Sequence, residues 1–99
     1  MDSIEKRTEL IVLYDIYGQL LTEKQRQYFE DYFDMDLSLA EIAEQYNVSR
    51  NAVHDMLKKT EELLTYYESS LHIHQKNEKI LNCLKNDIKY EEIKQIIEE

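Results

Sequence analysis

Between Arg50 and Lys59 the chain carries side chains suited to contacting nucleic acid: Arg50, Asn51, His54, Lys58 and Lys59, with Asp55 among them. An arginine can pair with guanine through two hydrogen bonds, and an asparagine with adenine in the same way. Lysines farther along the same segment suit phosphate oxygens, which position a protein without reading sequence. If the segment is a helix, Arg50, Asn51, His54, Asp55 and Lys58 turn outward together. An ordinary solvated face competes with this reading. Asp55–Lys59 and Lys58–Glu62 have the i, i+4 spacing of surface ion pairs, and Asp55 would repel phosphate.

Other chemistry finds less support. His72 and His74, with His54 and Cys83 elsewhere, form the only combination that invites a metal. Side chains at i and i+2 of a helix point apart, and no CxxC or HExxH spacing backs them, so neither a metal nor a cofactor is expected. Cys83 lies among Ile80, Leu81 and Leu84 and is expected to be a buried structural thiol. The carboxylates are numerous but scattered, and no apolar pocket is implied around any of them, so an enzyme is not expected. Gly18 is the only glycine, too few for a phosphate-cradling loop.

The elements that would hold Arg50 and its neighbours are marked by caps. Ser38-Leu39-Ala40-Glu41 is a capping box that opens a short helix, roughly Leu39 to Tyr46. Asn47 follows where a turn needs positive φ, and asparagine is the best substitute there for glycine. Ser49 caps the next helix, which begins at Arg50. Ala43 is small enough for two helices to cross closely. Ile42, Val48, Val53 and Met56 or Leu57 are spaced to fill the angle between them. Ile42, Ala43, Asn47, Val48, Val53 and Leu57 thus form the expected core of a helix-turn-helix spanning about 38–60.

Upstream, Ser3 can open a helix whose Leu10, Leu13, Tyr14 and Tyr17 recur at helical spacing, with Gly18 closing it in the left-handed conformation. Thr22-Glu23-Lys24-Gln25 is another capping box and predicts a helix from about Glu23 to Asp34. Its Tyr28, Phe29, Tyr32 and Phe33 form an aromatic stripe. Core packing is the ordinary use of such a stripe, and stacking on bases the alternative.

The helix from Arg50 has no stop before about Leu71, and Val53, Leu57, Thr60, Leu64, Tyr67 and Leu71 step along it as a heptad seam. Two uses are open for the seam. It packs on the first helix or the C-terminal helices, or its Thr60, Leu64, Tyr67 and Leu71 join two copies as a homodimer. Beyond His74, about 75–99 is expected to form a C-terminal extension of two short amphipathic helices. The first is marked by Ile80, Leu81 and Leu84 from Asn77 to about Asn86, the second by Ile93, Ile96 and Ile97 from Tyr90 to Glu99.

Composition bounds the whole. Ninety-nine residues make one domain, 1–99, and the absence of proline with a single glycine argues against a fold of many tight turns. The expected class is all-α, a helix-turn-helix bundle with a long fourth helix. One cysteine fits a reducing compartment. The N-terminus shows no apolar core of a signal peptide, and no run approaches the roughly 18 apolar residues of a membrane span, so a cytoplasmic protein without membrane contact is expected. The net charge is −9. Residues 1–49 hold 11 acids and 4 bases (−7), residues 50–74 hold 4 and 3 (−1), and residues 75–99 hold 6 and 5 (−1). Residues 47–60 are locally +2, from Arg50, Lys58 and Lys59 against Asp55.

The stretch LSLAEIAEQYNVSRNAVHD, continued by KKTEELLTYYE, resembles the YlxM family of bacterial proteins associated with the signal recognition particle. That family in turn is similar to region 4 of sigma factors. The resemblance covers about residues 8–75. It implies a helix-turn-helix fold, a regulatory or accessory role in protein targeting, and contact with DNA, with signal recognition particle RNA or with the particle's protein subunit. By match, Arg50, Asn51 and His54 take the exposed recognition-helix positions. The chain departs from sigma-type helices in carrying less basic charge, with Glu30, Asp31, Asp34 and Asp36 nearby. A DNA-binding transcription regulator of sigma region-4 type is the alternative function.

Overall fold

The computed structural model describes residues 3–84 and 90–98. The elements run α1 (Ile4–Tyr17), a 3-10 turn (Gly18–Leu20), α2 (Glu23–Phe33), α3 (Leu39–Tyr46), α4 (Arg50–Leu71), α5 (Ile73–Cys83) and α6 (Tyr90–Glu98). No strand occurs among the described residues, so the fold is all-α.

Helix starts follow local chemistry. Ser3, Thr22, Ser38 and Ser49 each accept the N–H three residues on, and Thr22–Gln25 and Ser38–Glu41 close full capping boxes. Each cap satisfies donors that the first helical turn leaves unpaired.

α4 is the central strut, with α1, α2 and α3 packed against it. Two apolar clusters form along it. Leu10, Leu13, Tyr17, Leu21, Phe29, Phe33 and Leu64 make one. Tyr28, Ile42, Ala43, Val53 and Leu57 make the other. Three members of the α2 stripe, Tyr28, Phe29 and Phe33, are buried, which assigns them to the core, and Tyr32 is half-buried. Phe29 stacks on Tyr14 at 4.2 Å and on Phe33 at 4.3 Å between ring centroids.

The α4 seam is likewise taken up inside the chain. Val53, Leu57, Thr60 and Leu64 are buried, so Thr60 and Leu64 have no surface to offer a second copy. The buried Thr60 hydroxyl donates to the Met56 carbonyl at 2.8 Å, which lets a polar residue sit in an apolar seam. Farther out the seam opens: Tyr67 is half-buried and Leu71 is exposed.

Three expectations are corrected. Gly18 is right-handed (φ −55°, ψ −32°), because α1 runs on into the 3-10 turn instead of stopping at a left-handed cap. Its lack of a side chain serves close approach: a Cβ would sit 3.1 Å from the Tyr14 ring. Second, α5 begins at Ile73 and not at Asn77. Third, Cys83 is exposed, since α5 leans on α1 and α6 and buries no residue. The expected end at Asn86 lies outside the described residues.

The radius of gyration is 15.8 Å with extents of 51 × 25 × 24 Å. A compact chain of this length would give about 13 Å. The difference reflects elongation, with α5 and α6 forming an arm.

Candidate nucleic-acid interface

α3 ends where Asn47 adopts φ 55°, ψ 48°, in the left-handed region. The Val48 N–H donates back to the Ala43 carbonyl at 3.0 Å, and the Asn47 N–H to Glu44 at 3.3 Å. This closure satisfies the last carbonyls of α3 and reverses the chain within three residues. Ser49 then accepts the Ala52 N–H at 3.0 Å and starts α4. Ile42, Ala43, Val53 and Leu57 are buried at the crossing, and Val48 packs half-buried against them. Of the expected core residues, Ile42, Ala43, Val53, Leu57 and Val48 therefore meet at one place, while Asn47 is exposed and makes the turn.

Tyr28 and Tyr46 fasten the unit to α2. Their rings lie 4.8 Å apart. The Tyr46 hydroxyl donates to Asp31 Oδ2 at 2.7 Å. That bond, followed by burial, pushes the Tyr46 pKa up to about 12. The pair was not apparent in the sequence, where Tyr46 reads only as a helix end; its separation of 15 residues from Asp31 carries no local signal.

Of the expected contact residues, Arg50, Asn51 and His54 come together with Leu39 and Ser49 around a shallow depression at the first turn of α4. Lys58 and Lys59 are exposed but lie farther along the helix. At 1.5 Å per residue, Arg50 to Lys58 spans about 12 Å, close to the width of a major groove. His54 Nδ1 sits 3.6 Å from Asp55 Oδ1, with both side chains at least half exposed. Leu39 and Ser49 line the depression although the sequence marks them only as a helix start and a cap.

The acidic end of α2 and the turn after it are less free than composition suggests. Glu30 accepts the Tyr14 hydroxyl at 2.5 Å, Asp31 accepts Tyr46, and Asp36 lies 3.5 Å from Arg7. Arg7 also donates to the carbonyls of Tyr32 and Phe33 at the end of α2 and lies over both rings. Three of the four carboxylates near the turn are thus engaged with α1 or α3. No group of three or more metal-ligating side chains occurs among the described residues. No described helix is long and apolar enough to cross a membrane.

The family model UPF0122, "Putative helix-turn-helix protein, YlxM / p13 like", matches residues 4–99. The chain belongs to this family. It is 49% identical over 81 residues to the UPF0122 protein of Mycoplasma capricolum subsp. capricolum, covering 82% of this chain and 72% of that one. It is 46% identical over 100 residues to a UPF0122 protein of Geobacillus sp., covering 96% and 91%. A UPF0122 protein of Lactococcus lactis subsp. cremoris is 50% identical over 70 residues, 71% of this chain and 63% of its own length. The UPF0122 match takes in α5 and α6 as well as the helix-turn-helix.

Proposed function

We propose that this protein is a non-enzymatic, cytoplasmic accessory or regulatory protein that contacts nucleic acid, alone or within a ribonucleoprotein, through the outward face of α4. One observation carries the reading: Arg50, Asn51 and His54 share the open first turn of a helix aimed by the left-handed Asn47 turn. Arg50 and Asn51 make base or phosphate hydrogen bonds, His54 extends the face, and Lys58 and Lys59 hold phosphates farther along. The resemblance to proteins associated with the signal recognition particle favours that particle's RNA or its protein subunit as the ligand. Within that choice net charge favours the ribonucleoprotein, since free RNA repels a −9 chain as DNA does. A chain at −9 is repelled by free duplex DNA, whereas a ribonucleoprotein offers basic protein surface beside its RNA.

The second reading, a DNA-binding regulator of sigma region-4 type, is favoured by Arg50 and Asn51 occupying the end of α4 that enters a major groove in helix-turn-helix complexes.

Fluorescence anisotropy at two salt concentrations tests both readings. Duplex DNA and signal recognition particle RNA are titrated separately, then the RNA with the particle's protein subunit. Binding to the RNA or its complex, lost in Arg50→Ala and Asn51→Ala, is the expected result. Salt-sensitive binding to DNA alone moves the regulator reading to first place. No binding to any of the three overturns the proposed contact.

A further inference from the structure

The arm carries an apolar face that the described residues leave open. No residue of α5 is buried. Ile73 and Ile80, one heptad apart on one side of α5, are 39% and 45% exposed, and Ile96 of α6 is 68% exposed. An isolated helix of fewer than about 12–15 residues is marginal in water, and helices in proteins draw most of their stability from packing an amphipathic face. α5 has 11 residues and α6 has 9. Their mutual contact and the lean of α5 on α1 cover only part of that face.

We propose that a second copy of this chain covers it, the two arms meeting about a twofold axis with α5 of each copy laid on α6 of the other. Charge selects this occupant. Residues 1–49 carry −7 of the total −9, while residues 50–74 and 75–99 carry −1 each, so two copies meet with less repulsion through their arms than through their N-terminal halves. Within the arm the signs are divided. α5 bears Lys76 and Lys79 against Glu78, and α6 bears Glu91, Glu92 and Glu98 against Lys94. A twofold contact repeats every pairing, so a basic helix lies on an acidic helix twice. Docking the arm of one copy on the bundle of another would instead set the acidic α6 against the acidic half of the chain.

Area sets the strength. The two helices together are about 30 Å long and about 10 Å wide, a strip of roughly 300 Å². Stable complexes bury about 800 Å² per partner. A contact this small makes the dimer a concentration-dependent equilibrium, unlike a permanent assembly. It is also distinct from the α4 seam, whose Thr60 and Leu64 are already buried.

Sedimentation equilibrium of the full chain from about 5 to 300 µM tests the proposal. The expected result is a monomer–dimer equilibrium with a dissociation constant of tens of micromolar, weakened at least tenfold by Ile80→Asp or Ile96→Asp. Circular dichroism of these variants checks that the bundle remains helical. A charge exchange gives an independent test. Lys76→Glu/Lys79→Glu in one chain and Glu91→Lys/Glu92→Lys in another should each abolish self-association, and mixing the two should restore a dimer, because both cross-pairings are then opposite in sign. A wild-type monomer at 300 µM overturns the proposal, as does a dimer indifferent to the aspartates or a mixture that fails to reassociate.

Discussion

The Tyr17 hydroxyl donates to Glu68 Oε1 at 2.6 Å and at the same time accepts the N–H of Ile73 at 3.2 Å. Glu68 accepts two more donors from the start of α5, the N–H groups of His74 and Gln75, each at 3.1 Å. One buried tyrosine from α1 and one carboxylate from α4 thus cap a helix that has no cap of its own. His72, left-handed at φ 54°, makes the corner between α4 and α5.

Tyr17→Phe should therefore release the start of α5 more than it disturbs the bundle. The ring stays in the core, but Glu68 loses one of its three donors and the Ile73 N–H loses its acceptor. A lost hydrogen bond of this kind costs on the order of 1–2 kcal/mol. Amide exchange should accelerate at Ile73, His74 and Gln75, while amides of α4 around Leu57 change little.

Acid should loosen the same joint. Burial raises the pKa of Glu68, but the hydrogen bonds from Tyr17, His74 and Gln75 outweigh it and leave a net lowering. A carboxylate lowered on folding adds stability above its unfolded pKa, and this is lost as pH falls through the folded value. The protection of residues 73–75 should thus persist at neutral pH and fall away below about pH 4, the ordinary carboxylate range. Glu68→Gln should remove that pH dependence, which exchange measured between pH 3 and 6 would reveal.

Leu64 and Leu71 belong to one heptad seam but to different environments. Leu64 is fully buried and Leu71 is 46% exposed. Leu64→Ala should cost about 2–5 kcal/mol, and Leu71→Ala well under half of that. Urea denaturation of the two variants decides, and equal losses would contradict the placement of Leu64 in the core.

Asn47 holds the turn in a region that residues with a Cβ enter at a cost. Asn47→Ala should lower stability by about 1 kcal/mol, and Asn47→Gly should match or exceed wild type. Thermal melts of both variants would show the contrast.

Asp55 lies within the proposed contact face, beside His54. Asp55→Asn should strengthen nucleic-acid binding by removing a negative charge near phosphate. Lys58→Ala should weaken it and reduce the salt slope by about one. Titrations at several salt concentrations read both effects.

Much of this fold was legible from local chemistry. Ser38, Glu41, Asn47 and Ser49 act on backbone groups within five residues, so α3, the turn and the start of α4 follow from their types and spacing. The start of α5 was not legible, because its cap comes from Glu68 and Tyr17 and not from a neighbouring Ser, Thr, Asn or Asp. Cys83 among apolar neighbours reads as buried, yet burial depends on whether another element arrives, and among the described residues none covers it. The acidic turn reads as a repelling surface, yet Tyr14, Tyr46 and Arg7 engage three of its carboxylates from 15 to 29 residues away.

By itself the sequence determined what short-range forces can specify: the helix starts, the all-α class, the Asn47 turn and the set of side chains on the first turn of α4. Tertiary structure alone decided which faces meet. It placed Thr60 and Leu64 of the seam inside the bundle, tied α5 to Tyr17 and Glu68, and left the arm uncovered. Periodicity states that a helix has an apolar face, but the partner of that face is chosen by contacts between residues far apart in the chain.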